Sequence, residues 1–160
     1  MRCPHCSLAL TDADTAAGPR PHCSRCDHVY LPRGELDAIL AETPRSYAPR
    51  DLETLAETCK ERHQAALARP VVYCRCPECG EPMRRSNYGL VSFVLMHSCL
   101  DHGTWIARDD LGLLIEFVRG GGEVLELRAQ KAQLEERLDR AQRDRPTTDT
   151  SDDTPLLFLG

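Results

Sequence analysis

Aromatic side chains are scarce: Phe, Trp and Tyr together make up 5% of the 160 residues. A domain of that length usually closes on one large apolar core, and so few rings leave such a core thin. Something besides burial has to help hold the fold. Long apolar runs are missing as well. The most apolar stretch, Leu90 to Met96, falls far short of the roughly 18 residues a membrane span needs, which excludes a membrane role. Met1-Arg2-Cys3-Pro4 opens the chain without the apolar segment of a signal peptide, so the expected compartment is the cytoplasm. Excess positive charge is also lacking. A formal net charge of −5 and a pI near 5.7 provide no overall field to draw the chain onto nucleic acid.

What the chain does have is nine cysteines. In a reducing compartment, clustered cysteines more often bind metal than form disulfides, and an odd count cannot pair completely. Their spacing repeats. "CPHCSLAL" from Cys3 lies over "CPECGEPM" from Cys76, and "CSRCDHVYLPRGELDAIL" from Cys23 lies over "CLDHGTWIARDDLGLLI" from Cys99 once one residue is dropped after the second ligand. That alignment matches Cys26 with His102, Tyr30 with Trp105 and Glu35 with Asp110. The chain therefore reads as two copies of one small unit, and Cys74 and Cys59 stand outside the repeat.

Two Cys-x-x-Cys-type pairs separated by a hairpin-sized span can surround one zinc ion tetrahedrally without long-range folding. Copy one offers Cys3, Cys6, Cys23 and Cys26; copy two offers Cys76, Cys79, Cys99 and His102. Two zinc ions are the expected cofactors. Four ligands per ion close the coordination sphere, whereas a catalytic zinc keeps a position open beside a general base, so the chain reads as no enzyme. The Cys3-Pro4-His5-Cys6 pair lacks the preceding strand that a disulfide oxidoreductase requires. A four-cysteine iron site is chemically feasible in copy one, but zinc suits both copies. Units this small need the metal's binding energy to fold. Cys59 reads as a buried small side chain, Cys74 as a buried strand residue or an alternate ligand. His5, His22, His28 and His97 lie near ligands, where they can hydrogen-bond to the sites. Glu35 and Asp110 suit helix N-termini.

The predicted fold is a small metal-stabilised α+β arrangement: rubredoxin-like knuckles with short antiparallel hairpins, each followed by a helix. Residues 1–43 form the first unit and 71–122 the second. Between them, 44–70 hold a linker helix with Leu52, Leu55, Cys59 and His63 along one side. The apolar run "GLVSFVLMHSC" predicts a strand leading into Cys99. Leu111, Leu114, Ile115 and Val118 predict a helix that stops at Gly120-Gly121-Gly122. A charged helix over 123–145 carries a heptad-like seam of Leu127, Leu134, Leu138 and Ala141. An acidic tail over 146–160 ends on the apolar "PLLFLG".

The pattern Cys-Pro-x-Cys, then Cys-x-x-Cys, then "YLPRGEL" resembles the zinc ribbon family named after transcription factor IIB. The second copy, with its His-Gly-x-Trp ending, resembles a variant of the same family. Together the copies cover about half the chain. The resemblance implies two zinc ribbons and no particular activity. On function, the charged helix, acidic tail and apolar end point to an adaptor that binds an unidentified protein partner. The alternative is a nucleic-acid-binding, transcription-related protein, using Arg84, Arg85, Asn87 and Tyr88 on the loop after the third knuckle.

Overall fold

The computed structural model describes residues 1–68 and 70–144. The expected acidic tail with its apolar end lies outside them. The order of elements is the same twice over. Strands β1 (Thr11–Thr15), β2 (Gly18–Cys23) and β3 (His28–Pro32) precede helices α1 (Glu35–Glu42) and α2 (Asp51–Leu67). Strands β4 (Arg84–Asn87), β5 (Leu95–Cys99) and β6 (Gly103–Ala107) precede α3 (Arg108–Arg119) and α4 (Gly122–Arg143). Among the described residues the result is a small α+β fold with an antiparallel sheet and four helices.

All six strands join one sheet in the order β1-β2-β3-β6-β5-β4, a palindrome of the two repeats. At its centre β3 pairs antiparallel with β6, with Tyr30 opposite Trp105, Val29 opposite Ile106 and Leu31 opposite Thr104. Tyr30 and Trp105 are the matched aromatics of the two copies. A local two-fold axis thus passes through that pair, and the repeats meet as two subunits of an isologous dimer would.

Side chains alternate across the sheet, and each face has its own cluster. Val29, Leu31 and Ile106 point to the helical side, where they meet Leu36 and Leu40 of α1, Cys59 of α2 and Leu111, Leu114, Phe117 and Val118 of α3. Tyr30 and Trp105 point the other way, into a second cluster with Cys3, Cys23, Cys74, Cys76 and Met83. The molecule is therefore layered: helices, sheet, cysteine-rich loops.

The helices follow the sequence pattern closely. Leu111, Leu114, Ile115 and Val118 of α3 are all buried, and α2 buries Leu52 and Cys59 while its His63 meets the Phe93 ring. Gly121 adopts a left-handed conformation, φ 87°, between α3 and α4, and a Cβ there would strike Leu52 and Tyr47. The glycine lets α2 and α4 pack closely. One expected element is shorter than predicted: only Leu95–Cys99 of the apolar run is strand. Residues 88–94 form a loop closed by Tyr88 N–H donating to the Val94 carbonyl (2.9 Å), with Phe93 at φ 53°. Its residues are apolar because Val94 enters the helix-side core and Val91 and Phe93 pack against it, which is burial without pairing.

Candidate metal centres

Each first knuckle is shaped by the same hydrogen bonds, 73 residues apart. The Cys3 N–H donates to the Leu8 carbonyl (2.8 Å) and the Cys76 N–H to Glu81 (2.7 Å). Ser7 and Gly80 donate back to the Cys3 and Cys76 carbonyls, 2.9 Å each. These bonds need a left-handed residue after the second cysteine, and Ser7 (φ 62°) and Gly80 (φ 76°) supply it. Isolated bridges, Arg2 to Ala9 and Arg75 to Pro82, close the loops. The second knuckles sit where strands end: Cys23 terminates β2, Cys99 terminates β5, and the tight turn to the next strand carries Cys26 or His102.

The two elements bring four ligands together in each repeat. Cys3, Cys6, Cys23 and Cys26 form one group, Cys76, Cys79, Cys99 and His102 the other, and in each the ligand atoms all lie within 4.8 Å of one another. Cys6 Sγ is 3.5 Å from Cys23 Sγ, Cys79 Sγ is 3.9 Å from Cys99 Sγ, and Cys99 Sγ is 3.5 Å from His102 Nδ1. Both groups could hold a metal ion. Cys3, Cys23 and Cys76 are buried, so the sites are half sunk into the sheet's second core.

The electrostatics favour thiolates at the strand ends. For Cys99 the main influence is the hydrogen bond to His102, which lowers its pKa to about 7. For Cys23 burial opposes ionisation, but backbone N–H groups of Cys26 and Arg25 outweigh it and bring the pKa to about 7. Burial first, then the neighbouring sulfurs of Cys6 and Cys3, pushes Cys26 up. A bound cation would favour the thiolate forms further.

The repeats also brace each other's sites. Tyr30 of the first repeat donates its hydroxyl to Glu78, inside the first knuckle of the second. The matching ring, Trp105, meets His5 of the other repeat's first knuckle edge-on, with centroids 6.2 Å apart. Backbone bonds cross over in the same way: Arg33 N–H donates to the His102 carbonyl (2.6 Å) and Arg108 N–H to the Asp27 carbonyl (2.8 Å). The match of Tyr30 with Trp105 in the repeat alignment was the one sequence signal for this crossing.

The remaining candidates are placed as follows. Cys74 is buried beside Met83, Sγ to Sδ 3.8 Å, and burial pushes its pKa up to about 12. Cys59 is buried in the helix-side core, which raises its pKa too. Neither belongs to a four-ligand group. Arg84, Arg85 and Asn87 form β4 instead of a loop. Alternation puts Arg84 on one face and Arg85 with Asn87 on the other, and Tyr88 packs against the helix-side core. His22 bonds Asp27 (2.7 Å), His28 bonds the Cys26 carbonyl (2.6 Å) and His97 the Val72 carbonyl (3.0 Å). Among the described residues, no helix is long and apolar enough to cross a membrane.

Comparison with known proteins adds little. No family model matches the chain, and no solved structure matches it. Leucine-tRNA ligase of Cupriavidus metallidurans is 28% identical over 120 residues, which covers 66% of this chain and 12% of that protein. The similarity concerns a small segment of a much longer enzyme.

Proposed function

We propose that the chain is a non-catalytic cytoplasmic protein with two structural zinc ions, each held in a zinc ribbon of the transcription factor IIB type, and that it works as an adaptor between macromolecules. The observation that carries the metal reading is the pair of four-ligand groups. With Zn–S near 2.3 Å, sulfurs at the corners of a tetrahedron stand about 3.8 Å apart, and the sulfur separations of 3.5 and 3.9 Å bracket that value. Four soft or imidazole ligands leave no position for substrate, so the ions hold structure. The residues that would hold them are Cys3, Cys6, Cys23 and Cys26 in one ribbon, and Cys76, Cys79, Cys99 and His102 in the other.

The adaptor reading rests on α4. Its Leu127, Leu134 and Leu138 are 65, 56 and 53% exposed, a stripe that the rest of the described chain leaves uncovered. An apolar stripe on a charged helix suits a protein partner's groove. Native mass spectrometry of the full chain should give a mass with two zinc ions; fewer would end the structural-zinc reading. Capture from host extract should survive nuclease and be lost on combining Leu134→Glu with Leu138→Glu at unchanged zinc content. Loss of the captured species on nuclease treatment alone would favour nucleic acid as the partner.

A further inference from the structure

Helix α4 leaves the body of the molecule partway along its length. Its first turn is fixed there by buried Gly122 and Leu125, whereas every residue from Gln130 to Asp144 is exposed. The projecting part is about 21 Å long, and a free helix that short is marginal in water unless one of its faces packs.

That face is a heptad seam without a gap. Val124, Leu127, Lys131, Leu134, Leu138 and Ala141 follow one another at steps of three and four. The lysine in its middle decides how two such helices can meet. In a parallel pair Lys131 would face its own copy, like charge against like charge on a shared axis. In an antiparallel pair Leu127 faces Leu138 of the second copy and Lys131 faces Leu134 of the second copy. The lysine methylenes can then lie along that leucine while the ammonium stays with Glu135 of its own helix, 3.8 Å away.

The flanks of the seam agree with the antiparallel register. On one flank Arg128 stands opposite Glu135 of the second copy, twice by symmetry. On the other flank Arg137 of the second copy stands opposite Gln130, one turn from Glu126. Here the body opens a groove of about 500 Å³ beside Leu127, walled by Tyr88 and Phe117 and rimmed by Glu123 and Glu126. The Glu126 carboxylate accepts the Leu90 and Val91 backbone N–H groups (2.7 and 3.0 Å) and, among the described residues, meets no side-chain cation. Its charge is open to an arginine. The one like-charge approach, Glu123 with Asp144 of the second copy, is relieved by Arg45, which holds Glu123 at 2.5 Å.

We propose that the partner of α4 is a second copy of this chain, joined through an antiparallel α4 pair seated beside the Glu126 groove. The inference rests on the reading of the α4 stripe as a protein-docking surface and names its occupant. Seam, flanks and groove complement themselves in the reversed direction, which is what an isologous two-fold interface requires.

Sedimentation equilibrium of the metal-loaded full chain should show a reversible step from the 17.9 kDa chain to twice that mass as concentration rises. Combining Leu134→Glu with Leu138→Glu should leave monomer only, at unchanged metal content, because both positions are exposed in the single chain. Arg128→Glu and Glu135→Arg should each raise the dissociation midpoint roughly tenfold, since each turns two attractive pairs repulsive at once. The two together should restore it. Restoration is specific to the antiparallel register, because in a parallel pair these two positions stand a heptad apart. A monomer at every concentration up to millimolar, or a dimer indifferent to the leucine substitutions, would overturn the proposal, as would a double charge swap no better than the single ones. Capture from host extract separates this failure from failure of the docking reading. A monomeric chain that still loses its captured protein on the leucine substitutions carries a different occupant on the same stripe, and one whose capture ignores them has no docking stripe at all.

Discussion

At the scale of single residues, one position shows how little freedom the site-bearing sheet has. Gly103 begins β6 directly after His102, and a Cβ there would lie 2.2 Å from the Leu31 carbonyl oxygen on β3 and 3.0 Å from Pro32. Backbone cannot step aside as a flexible side chain can. Gly103→Ala should therefore split the central strand pair at the edge of the second metal group and destabilise the fold by about 3 kcal/mol or more. A urea midpoint unchanged from the parent chain would show that the strands can separate without loss. Cys74 makes the opposite point, a thiol beside two metal groups that belongs to neither. With its pKa pushed from 9.0 to about 12, it stays protonated at pH 8 and should resist alkylation in the metal-loaded chain, as buried Cys59 should. The sign of its pH effect follows. The unfolded thiol ionises near 9 while the folded one does not, so its share of stability is present below pH 9 and declines as pH rises from 9 toward 12. Rapid labelling of Cys74 at pH 8 would disprove this burial.

At the scale of elements, the crossing contacts predict effects in the wrong repeat. Tyr30 lies on β3 of the first repeat but its hydroxyl meets Glu78 in the second repeat's knuckle. Tyr30→Phe should weaken metal binding at the Cys76, Cys79, Cys99 and His102 group by roughly tenfold, one hydrogen bond to a carboxylate, while the group in its own repeat changes less. Cobalt substitution separates the two, because four-sulfur and three-sulfur–one-nitrogen sites absorb differently. An equal loss at both groups would refute the crossing. How much of this was legible in sequence depends on the range of the forces involved. The two four-residue groups could be picked out from the spacing and the internal repeat, because each knuckle is a local turn that supplies two donors and a hairpin brings two knuckles together. The α3 helix could be read from Leu111, Leu114, Ile115 and Val118, since burial on one side imposes its period. The loop over residues 88–94 could not, because apolar residues that plug a core look the same as apolar residues in a strand. Nor could the β3–β6 register, since edge-to-edge pairing of two repeats leaves no mark in either repeat's local pattern. The match of Tyr30 with Trp105 in the internal repeat is the one sequence feature that bears on it.

At the scale of the whole molecule, the repeats do not each own a core. The helix-side cluster draws Val29, Leu31, Leu36, Leu40 and Cys59 from the first repeat and Val94, Ile106, Leu111, Leu114, Phe117 and Val118 from the second. The loop-side cluster likewise mixes Cys3, Cys23 and Tyr30 with Cys74, Cys76, Met83 and Trp105. Unfolding one repeat thus strips the central strand and half of both cores from the other. The magnitudes decide the outcome. A structural zinc ion contributes about 10–16 kcal/mol of apparent binding energy, whereas a domain of this size holds only about 5–15 kcal/mol in reserve. On the proposed zinc reading, loss of one ion would therefore remove about as much stability as the entire fold possesses, and the second site would lose its frame with it. Titrating the loaded chain with a chelator and following it by native mass spectrometry should show two-ion and metal-free chains in changing proportion, with the one-ion species scarce throughout. Backbone amides of β3 and β6 should lose protection from hydrogen exchange in the same step. Two autonomous repeats would instead give a broad plateau of one-ion chains in which one half of the sheet stays protected, and that result would mean that the shared strand pair joins the repeats without coupling them.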